Sequence, residues 1–191
     1  MSLLGLSGSL RRDSWNTALL HCAAEEVPDG TTLEVFDLHD LPLYDQDHDD
    51  LAGGTDPPAS VVELRRRLRE ADGLVLATPE YNWSFSSVLK TAIDWCSRPG
   101  FSSVLADLPT LLLGVSAGPA GTGRAQLHLR QVLLSTRTPV LMDGLQLPHG
   151  PQCFDGAGRL TNEPAREQLR TLLATLRRAA AVQPLTPAMH D

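Results

Sequence analysis

The sequence predicts an α/β domain built on a doubly wound, five-stranded parallel sheet with helices on both faces, and three observations carry that prediction. Short β-like apolar runs alternate with segments of helical periodicity through five units, the pattern of parallel strands joined by right-handed helical crossovers. One run, Thr110 to Ser116, is apolar nearly throughout, as expected of a strand covered on both faces. Neither an internal repeat nor a linker divides the 191 residues, a length that suits one domain over 1–191.

The units follow in order. Leu3 to Ser7 reads as the first strand, followed by a Gly/Ser/Arg turn and a helix from about Ser14 to Glu26 that Pro28-Asp29-Gly30 bounds. Thr31 to Phe36 is the second strand, with apolar alternation at Leu33 and Val35. The stretch Asp37 to Pro58, rich in Asp, Pro and Gly, has no periodicity of its own and reads as a surface loop. A helix from Ala59 to Ala71 can turn Val61, Val62, Leu64 and Leu68 inward, and the strand Leu74 to Thr78 follows it. Ser86 to Ser97 is the next helix, packing through Val88, Leu89, Ala92, Ile93 and Trp95, ahead of the strand Thr110 to Ser116. Arg124 to Thr136 carries Leu127, Val132 and Leu133 at helical spacing, with the fifth strand at Pro139 to Met142. Thr161 or Asn162 caps a last helix through Val182, in which Leu169, Leu172, Leu173 and Leu176 repeat, and 183–191 should be a loose tail.

Bulk properties narrow the function. A net charge of −7 and a pI near 5.3 disfavour a nucleic-acid track, which needs a basic stripe, but leave room for a small anionic ligand. No basic segment precedes a long apolar run, and none of the apolar stretches approaches the ~20 residues of a membrane span, so a cytoplasmic protein is expected. Cys22, Cys96 and Cys153 are odd in number and far apart, which suggests reduced structural thiols rather than disulfides or a zinc site. The acidic cluster Asp45, Asp47, His48, Asp49 and Asp50 lacks the glycine and glutamate spacing of a calcium loop and reads as solvated.

In an open parallel sheet the ligand lies beyond the carboxyl ends of the strands, so the turns after strands one, three and four are the candidate site. The first, Gly8-Ser9-Leu10-Arg11-Arg12-Asp13-Ser14-Trp15-Asn16, enters a helix with hydroxyls, an amide and guanidiniums, and suits a phosphate. An ordinary cap through Asp13 or Ser14 is the plainer reading of the same residues. The second, Pro79-Glu80-Tyr81-Asn82-Trp83-Ser84, brings aromatics and an amide to the mouth of the sheet, where a flat ring can bind or the aromatics can simply pack. The third, Ser116-Ala117-Gly118-Pro119-Ala120-Gly121-Thr122-Gly123-Arg124, has small residues that allow close backbone approach to a ligand or simply turn the chain before a helix. The dinucleotide GxGxxG and the phosphate-loop GxxxxGK[ST] are both absent.

Gly8-Ser9-Leu10-Arg11 with Ser14 and Asn16, then Pro79-Glu80-Tyr81-Asn82, then Lys90-Thr91-Ala92-Ile93-Asp94-Trp95, resemble the NADPH-dependent FMN reductase family, which includes quinone, chromate and azo-dye reductases. The likeness continues through Arg124 to Leu133 and Phe154-Asp155 with Gly158-Arg159-Leu160, in the family's order. It implies a flavodoxin-like sheet of order 2-1-3-4-5, bound FMN, NADPH or NADH as hydride donor, and a homodimer or homotetramer with flavin near the subunit interface. Carried over, it has Ser9, Arg11, Ser14 and Asn16 hold the FMN phosphate with Trp15 beside them. Pro79, Glu80, Tyr81 and Asn82 would flank the ribityl chain and ring, Trp83 would narrow the mouth, and Ser116, Gly118 and Gly121 would line the other side. The sequence departs from the family at Ser86-Ser87, where Pro-Gly is common, and at Thr122-Gly123, where Gly-Gly is common, which bears on the shape of the acceptor pocket. Lys90, the only lysine, sits where the family usually has one, or serves a local pair with Asp94.

The reaction so implied needs no side-chain catalyst, because the flavin N5 takes and gives the hydride and the protein supplies position and electrostatics. Ping-pong transfer to a small acceptor such as a quinone, an azo compound or free flavin is expected, with His149 either bordering the acceptor or merely a loop residue. A non-catalytic FMN-binding electron carrier or scaffold is the alternative.

Overall fold

A computed structural model describes residues 1–182, so the tail expected to be loose lies outside the described residues. Its strands, β1 (Ser2–Ser7), β2 (Thr32–Phe36), β3 (Gly73–Ala77), β4 (Thr110–Val115) and β5 (Leu145–Leu147), form one parallel sheet of order β2-β1-β3-β4-β5. Register follows from pairs such as Leu4 with Glu34 and Leu74, Leu76 with Leu112, and Leu113 with Leu145. The helices are α1 (Trp15–Glu25), α2 (Ala59–Glu70), α3 (Ser87–Cys96), α4 (Gly123–Ser135) and α5 (Glu163–Val182). Strand order reverses between β1 and β3, and this divergence opens a crevice at their carboxyl ends.

Alternation along the strands divides the interior into two cores. Leu3, Val75, Leu111 and Leu113 meet Leu19 and Leu20 of α1 and Leu169, Leu173 and Leu176 of α5. Their neighbours Leu4, Leu74, Leu76 and Leu112 meet α2, α3 and α4 on the opposite face, through Leu64, Leu89 and Leu133 among others. A residue pointing to either side of β4 is therefore buried, and the run is apolar without a period-two pattern. Glu26, just past α1, accepts hydrogen bonds from Arg166 and Arg170 of α5, fastening the two helices on that face together.

Three expectations need correction. The fifth strand is Leu145–Leu147, not Pro139 to Met142; that run touches the sheet at one bridge, where Thr110 donates to the Pro139 carbonyl and Leu141 to that of Thr110. Val62 and Leu127 are exposed, because Val61, Leu64 and Leu68 complete the inner face of α2 and Leu129 and Leu133 that of α4.

The segment between β2 and α2 is not an unstructured surface loop either. It holds two 3₁₀ turns, Gln46–His48 and Asp50–Ala52, in which the Asp45 and Asp49 carboxylates accept from the N–H groups of Asp47 and Leu51. Arg65 of α2, itself buried, donates to Asp49 Oδ1 at 2.7 Å, Asp50 Oδ1 at 3.1 Å and the Trp95 carbonyl at 2.9 Å. Asp49 is fully buried, so a charged pair inside the protein pins the acidic stretch down. Trp95 donates its indole N–H to the Pro42 carbonyl and meets Tyr44 edge to face.

The three cysteines are buried free thiols, and burial pushes Cys96 up to about 12. Such thiols stay protonated and inert. Among the described residues no helix is long and apolar enough to cross a membrane.

Candidate active site

The three turns singled out in the sequence leave the same edge of the sheet, because β1, β3 and β4 are adjacent and parallel. Gly8 extends the ladder, donating to the Ala77 carbonyl at 2.8 Å. It also lies so close to the start of α3 that an added Cβ would sit 2.6 Å from Ser86 Oγ and 3.0 Å from the Leu89 side chain. Only glycine lets the first turn approach α3 this closely. Beyond it, Gly8, Ser9, Leu10 and Arg11 line one recess of about 360 Å³ with Tyr81, Ser86, Ser87 and Val88, inside the ~300–1,000 Å³ span of small-molecule clefts.

The first turn has the chemistry of an anion cradle. Ser14 caps α1, its Oγ accepting from the Thr17 N–H at 3.3 Å, so the plainer reading of this serine holds. The hydroxyl proton is left free to donate. Among the described residues the N–H groups of Trp15 and Asn16, in the first turn of α1, donate to no protein acceptor. Ser9 is buried, and Arg11 and Arg12 are exposed beside it. N–H groups, hydroxyls and a guanidinium converging at the positive end of a helix are a donor set for a phosphate.

Two residues of this turn do different work from that expected. The Asn16 side chain is buried and faces β4: its amide donates to the Val115 carbonyl at 3.2 Å, and its oxygen accepts from the Val115 N–H at 2.9 Å. It braces the first turn to the third and leaves only its main chain toward an anion. The Trp15 ring packs on Gly150, where a Cβ would come within 2.7 Å of it, and joins the α1–α5 core.

The second turn is a two-residue hairpin. Tyr81 and Ser84 exchange main-chain hydrogen bonds of 3.0 Å, and Asn82 and Trp83 between them have φ of 50° and 67°. Both positive values mark a type I′ turn. Tyr81 is half exposed at the recess, while Trp83, 68% exposed, carries the Arg124 guanidinium 4.7 Å from its ring centre. Pro79 is buried. Glu80 turns away from the recess: its nearly buried carboxylate accepts from Arg124 and, at 3.2 Å, from the Ala125 N–H. It caps α4 across the gap, a task that Thr122, with φ 74° and no side-chain cap bond, does not perform.

The third turn lies alongside. Ser116 Oγ donates to the Gly118 carbonyl at 3.1 Å, and nothing stands within 4 Å of where a Gly118 Cβ would point. Gly121 instead faces inward, against the main chain of Gln146 and Pro148. His149 is exposed and donates its N–H to the Gly118 carbonyl at 3.3 Å. Ser86 caps α3 by accepting from the Leu89 N–H at 3.4 Å, which explains how that position works without the family's proline. Lys90 donates to both Asp94 oxygens at 2.7 Å, the local pair.

Sequence reasoning missed the bracing roles of Asn16 and Glu80, whose partners lie 99 and 44–45 residues away and leave no local signal. Gly8 was within reach, since a glycine closing a strand ahead of a helix signals close approach.

Comparison with known proteins supplies the family. The profile of the NADPH-dependent FMN reductase family matches residues 1–152. An NAD(P)H-dependent FMN reductase of Pseudomonas aeruginosa is 42% identical over 177 residues, 92% of this chain and 93% of that protein. A 2-hydroxy-1,4-benzoquinone reductase of a Burkholderia species is 39% identical over 168 residues, 87% of this chain and 88% of that protein. Among solved structures, FerB, a flavoenzyme NAD(P)H:(acceptor) oxidoreductase of Paracoccus denitrificans, superposes with a TM-score of 0.82 at 28% identity, covering 94% of this chain and 97% of its own. A turn with the donors for a phosphate, a recess lined by the same turn and these relatives converge: the chain belongs to the NADPH-dependent FMN reductase family, and is an oxidoreductase that works with FMN and a reduced nicotinamide nucleotide.

Proposed function

We propose that the chain passes reducing equivalents from NADPH or NADH to a quinone-class acceptor, with FMN held across the first two turns. The observation that carries this reading is the recess shared by Gly8, Ser9, Leu10, Arg11 and Tyr81, on the turn that leads to the α1 N–H groups without an acceptor among the described residues. Gly8 keeps the first turn packed on Ser86 and Leu89 at the start of α3, which fixes that wall of the recess.

Ser9 and Ser14 hydroxyls, the Arg11 guanidinium and the main chain of Trp15 and Asn16 would hold the phosphate. Pro79, Tyr81 and Asn82 would border the ribityl chain and ring, Trp83 would stand at the rim, and Ser116 and Gly118 would approach from the other side. Glu80 and Asn16 act behind these, bracing the turns, and Gly121 packs against the main chain of Gln146 and Pro148. When bound, FMN supplies two-electron chemistry between a hydride donor and an acceptor. Use of a single ligand face by donor and acceptor in turn would give a ping-pong order.

A quinone is favoured over azo compounds and free flavin by the benzoquinone reductase among the relatives and by the exposed aromatics Tyr81 and Trp83, on which a flat ring can stack. Three unpaired buried thiols support a reducing compartment such as the cytoplasm. A homodimer or homotetramer belongs to the same reading on family grounds, and light scattering tests it.

The direct test is spectroscopic. Protein incubated with FMN and desalted should be yellow, bleach on anaerobic addition of NADPH or NADH, and recover its colour with benzoquinone. Protein that stays colourless would overturn the reading, and a bound flavin that no nucleotide bleaches would favour an electron carrier.

A further inference from the structure

A second recess, of about 270 Å³, lies on the other side of the first turn, between it and the end of β2. It contains a contact that the reaction does not require. Asp37 Oδ1 accepts from the His39 main-chain N–H at 3.0 Å and faces its ring Nδ1 at 2.5 Å. The other ring nitrogen, Nε2, lies 3.1 Å from the carbonyl oxygen of Leu10, in the middle of the phosphate-binding turn.

Both partners of the ring are acceptors. A carbonyl oxygen can only accept, so Nε2 must carry a proton. With that proton in place, a neutral ring would present the bare lone pair of Nδ1 to a carboxylate. Only the imidazolium, protonated on both nitrogens, satisfies the two contacts together. The charged and titratable groups around it are Asp37 and Asp40 on its own segment, Arg11 and Arg12 on the first turn, and His21 on α1.

We propose that His39 is a positioning residue for the cofactor phosphate: as an imidazolium it latches the Leu10 carbonyl to Asp37, holding the first turn in its anion-binding shape and adding positive charge beside it. This rests on the FMN reading of the site. Deprotonation breaks one of the two hydrogen bonds and removes the charge, so the phosphate turn loosens as pH rises. The Asp37 hydrogen bond raises the His39 pKa above its ordinary value, with smaller contributions from the Leu10 carbonyl and Asp40, and this moves the release to higher pH than a free imidazole would give.

The test is the dissociation constant of FMN, and of riboflavin as the phosphate-free control, from pH 6 to 10 for the wild type, His39→Gln and Asp37→Asn. Wild-type FMN affinity should fall by about three- to fivefold across the His39 titration, the worth of one exposed charge-assisted contact. His39→Gln should bind at the weaker level with that step missing, which also removes the ligand phosphate's own titration from the comparison. Asp37→Asn should move the step to lower pH, and riboflavin should report none of these changes. Parallel FMN profiles for wild type and His39→Gln, or an equal effect on riboflavin, would overturn the latch. FMN binding to none of the three, wild type included, would instead overturn the reading of the site, and the latch with it.

Discussion

Replacing Arg65 by leucine should be among the most damaging single changes in the molecule, though the residue is remote from the first turn. Three hydrogen bonds end on its guanidinium, and the carboxylate of Asp49 beneath it is fully buried. Leucine fills most of the volume, so the loss is electrical: Asp49 is left as an uncompensated buried charge. Breaking such a pair from one side costs about 3–5 kcal/mol, against a total stability of roughly 5–15 kcal/mol. For a chain of this size that is a fall of about 6–20 °C in Tm. Urea denaturation of Arg65→Leu, Asp49→Leu and the double variant gives the coupling directly. The double variant should recover most of the loss, because two apolar side chains tolerate burial where one lone carboxylate does not. A cost below about 1 kcal/mol for Arg65→Leu, or strictly additive single effects, would refute the claim that a buried ion pair holds the segment after β2.

Arg11→Ala should weaken FMN binding by about 10–100-fold through loss of a charge-assisted phosphate contact; its urea midpoint should not move, since the side chain is exposed, and fluorescence titration beside a melt separates the two. Asn16→Ala orphans a buried N–H and a buried carbonyl on Val115, and unfolding should become easier by about 2–5 kcal/mol, with a cost under 1 kcal/mol by denaturation ruling out the brace. The Arg170 and Arg166 guanidiniums hold the Glu26 carboxyl below its usual range. A carboxyl depressed in the folded state contributes stability in full above its unfolded value, about 4.3, and loses it as pH falls through the folded one. Glu26→Gln should therefore cost about 1–3 kcal/mol at pH 7, with a gap from wild type that closes in urea melts toward pH 3; a gap unchanged by acid would exclude the ion pair as its source.

What could be read from the sequence depended on how local each signal was. The apolar β4, the leucines of α5 and the Asn162 cap, whose Oδ1 accepts from Ala165 at 3.0 Å, are all local and were legible. The last strand was not. Pro139 to Met142 looks more strand-like than Leu145–Leu147, because three residues with one polar member are too few to display a period. Val62 reads as core by its chemistry, yet it sits about 100° round α2 from Val61, and three other residues fill the inner face. At the site, the three turns were visible as compositions. That Asn16 and Glu80 brace the turns depended on partners that only the folded chain brings near.

The hairpin at the rim has a further consequence. A type I′ turn ordinarily takes Asn-Gly, and Trp83 in the glycine place forces a bulky residue into left-handed backbone, at a cost of about 1–2 kcal/mol. Backbone strain of this kind persists only where its surroundings over-determine it, here the paired main chain of Tyr81 and Ser84 and the Arg124 guanidinium over the indole. These contacts within the protein favour one shape of the loop independently of a ligand. A planar guest bound as proposed would meet a rim already shaped, and the entropy of fixing that loop would be charged to folding, not to binding.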